Sequence, residues 1–314
     1  MNFVLRSRRV VTPEGVRAAS VHVVAGRIGR VAGWDDWAEG GPLVDAGDSL
    51  VMPGLVDSHV HVNEPGRTDW EGFASATRAA AAGGITTICD MPLNSIPATT
   101  TLAALEAKRA AAKYQTSVTV EFIGGVVPGN TSQLEPLRDA GVCAFKCFLS
   151  PSGVAEFSNV GEADLREAFP VLARLGLPLM VHAEDPALLS PAAGSRIYGD
   201  YLASRPIAAE HAAIALLVRL MERCPTPVHV VHLSSASSLQ LVRDARVRGL
   251  PLTVETCPHY LTFAAEDIPE GATEYKCAPP IREAVEREAL WAALLDGAID
   301  LVASDHSPCL PSMK

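Results

Sequence analysis

The stretch Val56-Asp57-Ser58-His59-Val60-His61 sets two imidazoles one residue apart. Alternate side chains of a strand share a face, so His59 and His61 would project together, roughly 7 Å apart along the backbone, and converge on one ion. The same pair also suits ordinary polar residues at a strand end. Asp57 lies on that face one step down, placed to hydrogen-bond a ligand or the core. Lys146 stands inside the apolar run Val142-Cys143-Ala144-Phe145-Lys146-Cys147-Phe148. An ammonium buried without a partner is pushed toward the neutral amine. A neutral amine can take up CO₂ as a carbamate, whose two oxygens can bridge two cations. The alternative is a lysine at a strand end, or one paired with Asp or Glu. By their odd offsets Cys143 and Cys147 should face the helices.

Three further apolar runs end in metal-binding residue types: His182 after Leu179-Met180-Val181, His232 after Val228-His229-Val230-Val231, and Asp305 after Leu301-Val302-Ala303-Ser304. Strand parity puts His229 and His232 on opposite faces, which selects His232 for the site and turns His229 out against a helix. His306 should point away from it. Together His59, His61, Lys146, His182, His232 and Asp305 offer nitrogen and oxygen donors of the kind Zn²⁺ takes, with Fe, Co or Mn less distinctive. Six donors exceed one tetrahedral ion and suit two ions ~3.5–4 Å apart, an arrangement that activates water and polarises a carbonyl. Asp305 would serve as ligand and as proton carrier from water to a leaving nitrogen, so the chemistry reads as metal-assisted hydrolysis. His259, in Cys257-Pro258-His259, is a candidate for the lining of the same site.

The elements that must position these residues alternate along the chain. Short apolar runs at 50–56, 85–90, 118–123, 142–148, 178–182, 228–232, 250–255 and 299–304 predict strands. Helical patterns at 70–82, 102–114, 162–175, 208–223, 235–248 and 283–296 lie between them. Eight strands alternating with helices predict a parallel (β/α)₈ barrel, whose active site sits where the strands end. A doubly wound open sheet is the alternative, but no Gly-rich phosphate loop follows a strand. Residues 1–50 differ: short apolar stretches separated by Pro13-Glu14-Gly15 and Ala25-Gly26-Arg27 predict an antiparallel meander. The expected division is therefore a β subdomain at 1–50 and a barrel at 51–314.

Composition excludes several other classes. Lys and Arg number 26 against 36 Asp and Glu, a net charge of −10, which disfavours nucleic acid because phosphate binding needs basic excess. No apolar run reaches the ~18–20 residues of a membrane span, and the N-terminus lacks the apolar core of a secretory signal. Seven cysteines without framework spacing point to reduced thiols and a cytoplasmic protein. No internal repeat is present.

Across nearly the whole chain these residues resemble the cyclic amidohydrolases of the amidohydrolase superfamily. The resemblance is carried by Pro53–His61, Lys146, His182-Ala183-Glu184-Asp185, the 229–235 stretch, Cys257-Pro258-His259-Tyr260-Leu261, the 277–282 stretch and Ser304-Asp305-His306-Ser307-Pro308. It implies a binuclear centre on His59, His61, His182, His232, Asp305 and Lys146, the lysine carrying CO₂ as N6-carboxylysine, with Asp305 as acid and base. It also implies a TIM-like barrel with an N-terminal β-sandwich portion and a homo-oligomer, commonly a tetramer.

Two stretches, 63–73 and 90–100, look most like the allantoinase branch of that family. Dihydroorotases place an arginine where this chain has Asn63, which suits a neutral small-molecule substrate such as allantoin. Asn63, Asn94, Ser307 and the backbone near Ala278 are the implied substrate contacts, Ala278 standing where the family often has serine. Dihydroorotase and hydantoinase or dihydropyrimidinase are the alternative activities, and a non-catalytic relative or an inactive truncated form the alternatives of another class. The family continues past the eighth strand with a last helix and returning strands, whereas this sequence stops nine residues after Asp305. Apolar surface is therefore expected to lie bare on that side of the barrel.

Overall fold

In the N-terminal unit, short turns fold β-branched runs back on one another. The computed structural model describes residues 2–37, 41–191 and 194–313. Strands β1 (Phe3–Thr12), β2 (Gly15–Val24) and β3 (Arg27–Ala32) form the expected antiparallel meander. Ala25 and Gly26 join β2 to β3 with φ of 52° and 78°, the paired positive values that let a two-residue turn follow the strand twist. The meander is not the whole sheet: β4 (Leu43–Asp45) and β5 (Leu50–Val51) pair with β1 in parallel. Val10, Ala19 and Val21 make its small core. This compact unit covers residues 1–55 rather than 1–50, because residues 50–51 pair with β1 instead of opening the barrel.

The second unit holds eight strands: β6 (Leu55–Val60), β7 (Ile85–Asp90), β8 (Thr119–Gly125), β9 (Ala144–Phe148), β10 (Leu179–His182), β11 (Val228–Val230), β12 (Leu252–Thr256) and β13 (Leu301–Val302). They lie side by side in chain order, joined by parallel ladders. The His61 N–H donates to the His306 carbonyl at 2.8 Å, and Val60 bridges His306 in parallel, which joins the two ends of the sheet and closes the barrel. The first barrel strand thus starts at Leu55, five residues later than the sequence suggested, and carries His59 inside it.

The helices are α1 (Phe73–Ala82), α2 (Leu102–Ala112), α3 (Leu134–Asp139), α4 (Glu162–Leu175), α5 (Tyr198–Ser204), α6 (Ile207–Arg223), α7 (Leu239–Val247), α8 (Pro258–Thr262) and α9 (Ala284–Leu295). In α4 the buried Leu165, Ala168, Phe169 and Leu172 recur at helical spacing, so one face packs on the sheet. Asp164 accepts from the Gly161 N–H at its start, and Gly176 ends it at φ 69°. Helices α3, α5 and α8 were not legible as periodic runs, being only five to seven residues long.

Strand β9 shows how the barrel sorts its side chains. Phe145 and Cys147 join the core beneath the helices, while Ala144 and Phe148 join the interior cluster and leave Lys146 on the interior face. Cys143, which precedes β9, packs against that interior cluster and not under the helices, because strand parity does not extend to it. Val56, Val302 and Leu295 are exposed. Among the described residues only a short turn, Pro311–Met313, follows β13 as regular structure.

Candidate metal centre

The ends of β6, β9, β10 and β11 and the segment after β13 bring their side chains to one cavity of about 610 Å³. His59, His61, Lys146, His182, His232 and Asp305 all line it. Asp305 Oδ1 lies 3.2 Å from His59 Nε2 and 3.4 Å from His61 Nε2. These three form a group able to hold a metal ion, their donor atoms all within 4.8 Å of one another. A second pair faces it: His182 Nδ1 is 3.0 Å from His232 Nε2, and the His232 ring lies 5.5 Å from that of His59.

Carboxylates fix how these rings present their lone pairs. His59 Nδ1 meets Glu255 Oε1 at 2.5 Å, and His182 Nε2 meets Glu184 Oε2 at 2.6 Å. Each carboxylate accepts a hydrogen bond from the ring N–H, so His59 offers Nε2 to the cavity and His182 offers Nδ1. Burial pushes the His61 imidazole down to about 4 against the pull of Asp305, and lowers His182 and His232 as well. Neutral imidazoles are the form that binds metal. Burial opposes ionisation of Asp305, but His59 and His61 outweigh it and hold its carboxyl well below the usual range. Burial likewise works against Glu184, which His182 and Arg205 bring down to about 2.

Lys146 is completely buried, and its Nζ has no hydrogen-bond partner. The amine lies 5.0 Å from the centroid of the Phe148 ring, and burial lowers its pKa to about 8. His61 Nδ1 and His232 Nδ1 are also buried without partners. An orphaned amine beside four imidazoles and a carboxylate fits a cation-binding centre better than a packed core, where each polar atom would be paired.

Three non-glycine residues at the cavity have left-handed backbones: Asn94 (φ 73°), His232 (φ 41°) and Asp305 (φ 49°). Such strain costs about 1–3 kcal/mol each and gathers at functional sites. It also overturns the parity reading of β11. The strand ends at Val230, and the left-handed turn at His232 swings that ring inward independently of parity. His229 does not pack outward: it faces the interior, with Nε2 3.0 Å from Glu255 Oε2 and Nδ1 2.7 Å from Thr253 Oγ1. His306 does point away, to Glu71.

Of the expected substrate contacts, Asn94, Ala278 and Ser307 line the cavity. Asn63 does not. It is wholly buried, its Nδ2 donating to the Pro308 carbonyl at 3.2 Å, while its backbone bonds to Glu71 and Arg67. It therefore shapes the loop behind the cavity wall. His259 lines the cavity with a buried, unpartnered Nε2, and Arg205 and Trp70 line it too. Glu184, quoted in the sequence only as part of the His182–Asp185 motif, and Glu255 stand beside or inside a buried strand, whereas Arg205, at the end of α5, left no such signal.

A parallel barrel with histidines and an aspartate at its C-terminal mouth defines a metal-dependent hydrolase scaffold. Residues 50–314 match the model of the amidohydrolase family, and the chain belongs to that family. It is 53% identical to an allantoinase of Streptomyces avermitilis over 317 residues, covering 100% of this chain and 71% of the relative. It is 46% identical to an allantoinase of Arabidopsis thaliana, covering 100% of this chain and 66% of the relative. Among solved structures, an L-hydantoinase (dihydropyrimidinase) from Arthrobacter aurescens superposes with a TM-score of 0.91 at 32% identity, covering 98% of this chain and 70% of the other. The chain thus spans about two thirds of the length of these proteins.

Proposed function

We propose that this chain carries the active site of an allantoinase, which opens the hydantoin ring of allantoin by hydrolysis to give allantoate. The observation that carries the reading is the convergence of four imidazoles, Asp305 and the orphaned Lys146 amine on one cavity. The identity to allantoinases supports the substrate: 53% against 32% for the hydantoinase that shares the fold.

In this reading His59, His61, His182, His232, Asp305 and carboxylated Lys146 hold two divalent cations, Zn²⁺ first, with Fe, Co or Mn also accommodated. Bound there, the cations supply Lewis acidity to a carbonyl oxygen and acidity to a water. The neutral Lys146 amine would add to CO₂, an N–C bond forming as one C–O π bond opens onto oxygen and the N–H proton passes to water, so that a carbamate anion replaces the unpaired amine. Asp305 takes the proton of the attacking water at its carboxylate and passes it to the ring nitrogen that leaves. Asn94, Ser307 and the backbone at Ala278 hold the substrate amides. Asn63 acts behind the wall by holding the Pro308 carbonyl.

No helix among the described residues is long and apolar enough to cross a membrane. The odd cysteine count and acidic charge suit a reducing, cytoplasmic setting, and a homo-oligomer, as a tetramer, belongs to the same reading. Stripping the protein with a chelator and restoring Zn²⁺ with bicarbonate tests it. Two ions per chain and return of allantoin hydrolysis are expected; hydrolysis that survives metal removal would contradict it.

A further inference from the structure

His232 holds a left-handed backbone at φ 41°, just outside β11, where a non-glycine residue stays only if its surroundings force it. The chain on either side of it is gripped. Before the turn is complete, the His232 N–H approaches Glu255 Oε1 at 3.3 Å, and the Leu233 N–H donates to the Glu255 carbonyl at 2.8 Å. Beyond it Glu210, reaching in from α6, accepts three bonds: the Ser234 N–H at 3.1 Å, the Ser234 hydroxyl at 3.0 Å and the Ser235 N–H at 3.0 Å. Arg282 Nε donates to the same Ser234 hydroxyl at 3.1 Å.

Glu210 is 1% exposed and does not line the cavity. It sits on the apolar stripe of α6, in series with Ala213, Ile214 and Leu217, where a leucine would pack without desolvation cost. A carboxylate there is explained by what it holds. Two oxygens can accept three donors, and no neutral side chain of that length offers the same.

We propose that Glu210 is a positioning residue: through Ser234 and Ser235 it fixes the left-handed turn that aims His232 Nε2 at His182 Nδ1. It thereby sets the affinity of the ion held between those two imidazoles. This rests on the proposed reading of His182 and His232 as ligands. The prediction is selective, because His59, His61 and Asp305 are held by other elements.

The test is titration of chelator-stripped protein with Co²⁺ in the presence of bicarbonate, followed by visible absorption. The unaltered chain should take two ions. Glu210→Ala should bind one of them as before and the other 10–100-fold more weakly, the size of loss seen when outer partners of metal ligands are removed. Glu210→Gln, which keeps one acceptor oxygen, should fall between, and His232→Ala should weaken the same step. If Glu210→Ala does not fold, Ser234→Ala reads the same contact more gently and should weaken that step alone. Variants that titrate like the unaltered chain, or that weaken both steps equally, overturn the inference. An unaltered chain that takes one ion, or a His232→Ala that changes nothing, overturns the ligand reading itself.

Discussion

His59 Nδ1 and Glu255 Oε1 stand 2.5 Å apart, in a contact joining strand β6 to strand β12 through the barrel interior. The other oxygen of Glu255 meets His229 at 3.0 Å, so one buried carboxylate braces two imidazoles. Burial opposes its ionisation, yet His59 and His229 bring its pKa down to about 2. Glu255 therefore fixes the His59 tautomer and turns Nε2 to the cavity.

Replacing Glu255 with Gln should keep the volume and lose the strong acceptor. Metal affinity or turnover should fall by on the order of 10–100-fold, while the melting transition stays cooperative. Equilibrium metal titration beside a thermal melt checks this.

Asp305→Asn removes both the anionic donor near His59 and His61 and the carboxylate proposed to carry the proton. Turnover should drop by at least about 10²–10⁴-fold, the range of a positioned proton carrier, with little change in the melt. Activity that survives this change contradicts the proton role.

Lys108 of α2 and Asp90 of β7 form a completely buried ion pair at 2.7 Å. The Lys108 amine also donates to the Met91 carbonyl, and Asp90 accepts from the Val62 N–H, so the pair ties the first two strand ends together. Lys108→Met leaves a lone buried carboxylate and should cost about 3–5 kcal/mol in denaturant unfolding. Adding Asp90→Leu should return a large part of that loss.

Glu184, held at about 2 by His182 and Arg205 against the opposing effect of burial, gives a pH dependence whose sign follows directly. Its carboxyl is more acidic folded than unfolded, so the folded chain binds fewer protons. Its contribution is complete above the unfolded value near 4.5 and fades as pH falls toward 2. The size is on the order of 3 kcal/mol. Urea unfolding between pH 7 and pH 3 should show the larger part of this loss, and Glu184→Gln should remove that part of the pH dependence.

Much of this was legible in the sequence because strand parity and strand ends are local properties. His59, His61, Lys146, His182, His232 and Asp305 all reach the cavity, and β7 and α4 match their predicted ranges. Parity failed where the chain had left the strand: it sent His229 outward, although His229 and His232 both face the interior. Asn63 lies outside the cavity lining, and its spacing from His61 says nothing of the Pro308 carbonyl that captures its amide 245 residues away. Pairings such as Lys108 with Asp90, or Glu210 with Ser234, depend on tertiary packing and leave only a charged residue on an apolar face as their trace.

The most direct measurement compares ring opening of allantoin, dihydroorotate and dihydrouracil by the protein loaded with Zn²⁺ and bicarbonate. Brisk conversion of allantoin to allantoate is expected, with slow or absent turnover of the other two. No allantoin turnover beside brisk dihydroorotate or dihydrouracil turnover would contradict it.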